Sequence, residues 1–478
     1  MKRTFLLAAA VILMSVQYAS AQYKDGAAAP EEGPLVLTLD KALEIALSEN
    51  TSVKVADKEV ERVGYAKKGA YAALFPQIDA SASYQRTIKK QVMYMDFNAG
   101  ALGGGAGAGA GSDSGSGSGS GSSSSSGGGI EMGRYNTYSA GVTAALPLVN
   151  AQLWKSIEIS GQDVELAVEK ARASRLDMVS QVKQAYYAVL LARQSKEVYK
   201  QVYDNAVANF KLTEQKYNVQ KASELDLARA KTSVANAMPN FYDAVDKEYL
   251  ALWQLKAVMG VDLDMDIDVA GSLGDYAGTM FRDIHANDGA DLSDNTTMRQ
   301  LAIQAEELAN AVKLQKYAAL PSLSLGFSYS MSAMANDYKF SEYKWTPYSY
   351  VGLSLSIPIF AGGKRYHAIK QAEVQATELD IQRTATERQL KIAIRQYLNT
   401  MDTQMKTYDA ANSALETAQK AYDIARKSYE VGRSTLTDLN DAQLALTQTQ
   451  LSASMAIYSF LVAKTGLENT LGNDFIEK

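Results

Sequence analysis

The chain has 478 residues, a formal net charge of −5 and no cysteine. The acidic balance argues against a nucleic-acid partner. The lack of thiols excludes disulfides, thiolate-held metal centres, cysteine nucleophiles and a lipid-modified amino-terminal cysteine, so any hold on a membrane must come from the fold.

Lys2 and Arg3 precede an apolar stretch from Phe5 to Met14, and Ala19-Ser20-Ala21 follows. That order is expected of a signal peptide over residues 1–21, with an apolar core too short to span a bilayer. Residues 22–37 are expected to form an amino-terminal segment. Beyond them no apolar run reaches the length of a transmembrane helix. A secreted chain of this kind is either soluble or inserted as a barrel.

From residue 38 onward one plan is read twice. Tyr71-Ala72-Ala73-Leu74-Phe75-Pro76 is echoed by Tyr317-Ala318-Ala319-Leu320-Pro321, and Ala145-Leu146-Pro147-Leu148 by Ser356-Ile357-Pro358-Ile359. Tyr217-Asn218-Val219 to Asp226-Leu227 matches Tyr429-Glu430-Val431 to Asp438-Leu439, and Leu255 to Gly260 is matched with Leu461 to Gly466. The repeats are placed at 38–260 and 293–466, with a linker at 261–292 and a tail at 467–478.

Each repeat reads helix, strand, strand, long helix, tip turn, helix. The strands are expected at about 76–95 and 133–147, then at about 321–335 and 347–358. Pro76, Pro147, Pro321 and Pro358 are expected to bound them. Ile78, Ala80, Ala82 and Tyr84 alternate with Gln77, Asp79, Ser81 and Ser83, and the other three strands alternate likewise. Apolar-out, small-polar-in alternation fits a membrane barrel with a wet lumen. An antiparallel sheet with one face on a soluble core has the same pattern. Four strands cannot close a barrel, so a membrane setting would require several chains to share one. Tyr135, Tyr138, Tyr348 and Tyr350, near the outer strand ends, are expected to form an interfacial aromatic belt.

Residues 99–129 are almost wholly Gly, Ala and Ser and are expected to be a disordered loop at the outer mouth. The stretch from about Gly362 to Tyr429 has no proline after Pro358 and no glycine between Gly363 and Gly432, which predicts a helix on the order of 100 Å long. Helices of that length belong to coiled coils or tubes. Asp262, Asp264, Asp266 and Asp268 alternate with apolar residues. Ile267 and Leu273 stand where a calcium loop needs glycine and glutamate, so a short strand or extended linker is expected. The two histidines, His285 and His367, have no metal or dyad spacing, and nothing argues for an enzyme, a metal or a cofactor.

The doubled order, with Tyr429-Glu430-Val431-Gly432 followed by Thr437-Asp438-Leu439, resembles the TolC family of outer-membrane efflux proteins over nearly the whole mature chain. The resemblance implies a mixed α and β fold: a homotrimer with a twelve-stranded barrel on an α-helical periplasmic tunnel. It also implies an efflux or type I secretion duct in the outer membrane of a Gram-negative bacterium. Its partners would be a periplasmic adaptor and an inner-membrane transporter.

By position, the resemblance carries entrance and pore roles to Tyr429, Asp438, Asp441, Asp226 and Arg433, and adaptor docking to Val219, Gln220, Lys221, Val431, Gly432, Arg433 and Ser434. Asp226 and Asp438 also follow Ser223 and Thr435 at capping-box spacing, so a purely local role stays open for both. Two departures stand out. Ser434 occupies the place of the family's gating arginine, and Gln220 replaces the expected tip glycine, which predicts a different turn at the first tip. The rival reading is a periplasmic coiled-coil scaffold without a pore.

Overall fold

The computed structural model describes residues 35–93, 130–280 and 291–472. The expected signal peptide, nearly all of the amino-terminal segment, the Gly/Ser loop, linker residues 281–290 and tail residues 473–478 lie outside the described residues.

The chain opens with β1 (Leu35–Leu37), α1 (Leu39–Glu49) and α2 (Thr51–Ala72), then β2 (Gln77–Arg86), β3 (Gln91–Met93), β4 (Ile130–Met132) and β5 (Asn136–Val149). Two helices follow, α3 (Ala151–Asn218) and α4 (Glu224–Met259), and β6 (Ile267–Val269) lies in the linker. The second half holds α5 (Thr296–Tyr317), β7 (Ser322–Ala335), β8 (Thr346–Ser356), α6 (Lys364–Glu430) and α7 (Leu436–Leu471).

Corresponding helices have nearly equal lengths: 22 residues in α2 and α5, 68 and 67 in α3 and α6, and 36 in α4 and α7. At 1.5 Å per residue the two long ones measure about 100 Å. α3 packs along α4 and α6 along α7, while α3 also meets α7, joining the two hairpins.

The helix lengths correct one sequence match. α7 does not end at Gly466 but runs to Leu471, and its left-handed cap is Gly472 (φ 73°), the counterpart of Gly260 (φ 77°) at the end of α4. Residues 467–471, expected in the tail, form the last turn of α7. Gly466 is interior to the helix, where an added Cβ would lie 2.6 Å from the ring of Tyr397. It is a packing glycine, not a terminator.

Each glycine cap abuts an asparagine that caps another helix, Asn50 at the start of α2 and Asn295 at the start of α5. Asn50 accepts from the amides of Ser52 (2.8 Å) and Val53 (3.3 Å), and its Nδ2 donates to the Val258 carbonyl at 2.6 Å. Asn295 accepts from the Met298 amide (2.8 Å) and donates to the Thr470 carbonyl at 2.6 Å. One side chain thus satisfies orphan donors at a helix start and an orphan acceptor at a helix end.

These joints surround the main hydrophobic core, where Leu37, Val182, Tyr186, Leu190, Leu255, Met259, Phe460 and Leu467 are buried together. β1 pairs in parallel with β6, Leu37 opposite Val269. The Tyr186 hydroxyl donates to the Ala270 carbonyl at 2.7 Å, and Arg193 bonds the Val269 carbonyl at 2.5 Å and pairs with Glu248 and Asp268. Asp268, the last of the four alternating aspartates, is thereby held by a specific cation in a short strand.

The main sheet has the order β2-β5-β7-β8, antiparallel throughout. Pro76 and Pro321 immediately precede β2 and β7, and Pro358 lies just beyond β8. Pro147 does not close its strand: β5 continues to Val149 through an irregularity between Pro147 and Val149. A proline within a central strand is tolerated at such a bulge. The first strand is also shorter than expected, breaking after Arg86 before β3 pairs with β4.

Candidate functional site: the helical tips and the exposed sheet

At the lower end each long helix reverses through the same turn. In the second tip the Gly432 amide donates to the Tyr429 carbonyl (3.1 Å) and the Arg433 amide to that of Ser428 (2.8 Å). In the first, the Gln220 amide donates to the Tyr217 carbonyl (2.8 Å) and the Lys221 amide to that of Lys216 (2.7 Å). Gln220 sits at φ 57°, the sole non-glycine residue with positive φ among the described residues. The expectation of a different first turn is therefore wrong. The paired bonds of the helix terminus outweigh the roughly 1–2 kcal/mol that a side chain costs there.

The helices leaving the tips start with reciprocal caps. Ser223 Oγ accepts from the Asp226 amide at 3.1 Å, and Thr435 Oγ1 from the Asp438 amide at 3.2 Å. The carboxylates reach back, Asp438 Oδ2 accepting from the Thr435 amide at 2.9 Å. The Thr435 hydroxyl first, and its backbone amide second, hold the Asp438 carboxyl below the usual aspartate range. Asp441, one turn further on, is exposed. It shares a side of α7 with Asp438 and takes no part in the cap.

Tyr429 is buried between the two hairpins. Its hydroxyl lies 2.5 Å from Thr213 Oγ1, and Lys216 bonds its carbonyl while the ammonium stands 4.3 Å from the ring centre. Ala230, Tyr422, Leu436, Leu439 and Leu446 complete a small apolar core around it. Ser434 Oγ donates to the Ala425 carbonyl at 3.3 Å, closing the turn locally. Arg433 and Lys221 are exposed, as are Val219 and Val431, which occupy equivalent places on the two tips.

At the upper end, register sorts the sheet into two faces. Ile78 pairs with Ala144, Ala80 with Val142, Val142 with Tyr329, Ala144 with Phe327 and Leu325 with Leu353. Directly paired residues share a face, so the apolar residues form one continuous side. Ser81, Gly141 and Ser330 follow one another across the other side, as do Gly326 and Gly352.

The expected aromatic belt is assigned differently. Tyr348 pairs with Ser330 and Tyr350 with Ser328, which puts both on the small polar face. The cluster on the apolar side is made by Tyr84 stacked on Tyr138 at 4.9 Å, with Phe340, Tyr343 and Trp345 gathered against them. Its loop members are brought in by a short turn at Phe340–Glu342, for which strand periodicity carries no signal.

A sheet with one apolar and one small polar face, standing on helical hairpins about 100 Å long, defines the subunit fold of an outer-membrane channel-tunnel. The chain belongs to the outer membrane efflux protein family, whose model matches residues 42–261 and 290–473. The fold is similar to the Campylobacter jejuni CmeC outer membrane channel (TM-score 0.67, 19% identity, 91% of this chain and 85% of that one). It is also similar to CusC (0.68, 15%, 95% and 99%) and to the open state of the Neisseria gonorrhoeae MtrE channel (0.67, 17%, 91% and 88%). The alkaline protease secretion protein AprF of Pseudomonas aeruginosa is 22% identical over 245 residues, so the chain spans about half the length of that relative, 49%.

Proposed function

We propose that three copies of this chain form a passive exit duct through the outer membrane of a Gram-negative bacterium. One observation carries the reading: the four-stranded sheet leaves an apolar face uncovered, with Ile78 at 70% exposure and Val351 and Leu353 at 69% and 68%. A face of that extent is not stable against water, and lipid is the solvent that suits it. Among the described residues the outer edges of β2 and β8 have no partner, and hydrocarbon does not tolerate open edges. Joining β8 of one copy to β2 of the next closes twelve strands in a trimer, above the practical minimum of about eight.

In this assembly the helical hairpins form a tunnel whose tips are the entrance. Asp438, Asp441 and Asp226 stand near it as candidates for acidic rings. Val219, Gln220, Lys221, Val431, Gly432, Arg433 and Ser434 form the surface for a periplasmic adaptor, which couples the duct to an inner-membrane transporter. Drug, metal or protein cargo would be chosen by those partners. The scaffold alternative leaves the apolar sheet face unexplained.

The test is single-channel recording of detergent-extracted protein in planar bilayers, with its mass taken by native mass spectrometry. Discrete conductance steps from a trimer are expected. A monomer or dimer that never conducts would overturn the reading in favour of the scaffold.

A further inference from the structure

The polar face of the sheet is built mainly of Ser, Gly, Thr and Ala, with Gln77, Gln85, Pro147 and Met334 as uncharged, non-aromatic exceptions. Reading the register across the sheet, Asp79 pairs with Thr143, Thr143 with Ser328, and Ser328 with Tyr350. One transverse row therefore carries an acid on one edge strand and a phenol on the other. Tyr348 lies two residues nearer the loop end, opposite Ser330, its ring centre 5.8 Å from that of Tyr350. Among the paired residues of that face Asp79 is the one charged side chain, and Tyr348 and Tyr350 are the two aromatic ones. Tyr348 and Tyr350 are 65% and 53% exposed. Neither is covered by its own subunit.

We propose that Asp79, Tyr348 and Tyr350 form a cation-favouring lining in the upper lumen, a second selective zone remote from the helical entrance. The inference rests on the duct reading, because it takes the polar face to be the lumen wall. A carboxylate on a wall of small residues attracts cations and repels anions. The faces of phenol rings attract organic cations. The row's two ends lie on the edge strands, so closure of the barrel brings the Tyr350 end of one copy towards the Asp79 end of the next. Three such seams would then place three acids and six phenols around the same channel.

The absence of native cysteine allows a direct test. Single variants Asp79→Cys, Tyr348→Cys, Ser349→Cys, Tyr350→Cys and Val351→Cys are recorded in planar bilayers before and after a charged, water-soluble methanethiosulfonate. Modification at 79, 348 and 350 is expected to change the single-channel current, and at 349 and 351 to leave it unchanged. In a salt gradient Asp79→Asn is expected to lower the cation-to-anion permeability ratio about twofold. The pair Tyr348→Ala with Tyr350→Ala should weaken block by tetraethylammonium about threefold. Trimers that conduct but respond at 349 and 351 instead, or at none of the five positions, would overturn the lining. Loss of conductance in the unsubstituted protein would overturn the duct itself, so the two failures are distinguishable.

Discussion

The hydroxyls of Tyr429 and Thr213 lie 2.5 Å apart, joining the second helical hairpin to the first near the tips. Thr213 Oγ1 also donates to the Asn209 carbonyl at 2.7 Å, which commits its one hydrogen and leaves Tyr429 as the donor in the link. Tyr429→Phe removes that donor while keeping the ring in its apolar pocket. The expected cost is about 1 kcal/mol, concentrated on the contact between the hairpins. Channels of this variant should dwell longer in high-conductance states. Unaltered dwell times would show that the link does not restrain the entrance.

Gln220 holds a left-handed conformation that Gly432 holds in the other tip. Gln220→Gly should therefore stabilise the first turn by roughly 0.5–1 kcal/mol net of the freedom glycine adds to the unfolded chain, and Gly432→Ala should destabilise the second by roughly 1–2 kcal/mol. Hydrogen exchange of the amides at 219–221 and 431–433 reads both effects. Opposite signs at the two tips are the expected result.

The asparagine joints should be far more sensitive than their exposed neighbours. Asn50→Ala or Asn295→Ala removes a helix cap and a bond to a distant carbonyl together, for an expected loss of about 2–3 kcal/mol each. Gly472→Ala should be worse. Its Cβ would fall 2.1 Å from the Asp294 carbonyl oxygen, at a positive φ that alanine disfavours. Thermal unfolding of the detergent-solubilised protein, compared with Lys58→Ala on the exposed face of α2, measures the difference.

Asp438 and Asp441 separate by mechanism. Asp441→Asn should lower cation preference at the entrance without changing stability, since the carboxylate has no part in the cap. Asp438→Ala should change both, because it dismantles the reciprocal bonds with Thr435. Because its folded carboxyl titrates below the ordinary 3.8, the stabilisation is complete above that value and lost as pH falls through the lower folded one. Exchange protection at 435–439 should decline in that acid range in the parent and show no such decline in Asp438→Asn.

Much of this fold was legible because two periodicities are strong. Alternation over β2, β5, β7 and β8 marked the strands, and the long run without glycine or proline marked α6. What stayed hidden depended on contacts between distant segments. Nothing near Gln220 says that bonds to Lys216 and Tyr217 will hold it left-handed. Sequence alone pairs Gly466 with Gly260, because the ring of Tyr397, which needs the space, is 69 residues away. Position near the outer strand ends places Tyr348 and Tyr350 with the belt, but their parity along β8 opposes that of Val351 and Leu353 and sets them on the other face.

The asparagine joints also mark where the tunnel stops being a set of short packed helices and becomes two slender rods. From Met259 to Glu224 the arm of α4 extends 36 residues, about 54 Å at 1.5 Å per residue. A tilt of about 5° at the collar then carries the tip sideways by about 5 Å, a displacement comparable to one helical turn. The hairpin is a long lever with its fulcrum at a well-packed core, so a modest push at the tips needs little rearrangement there.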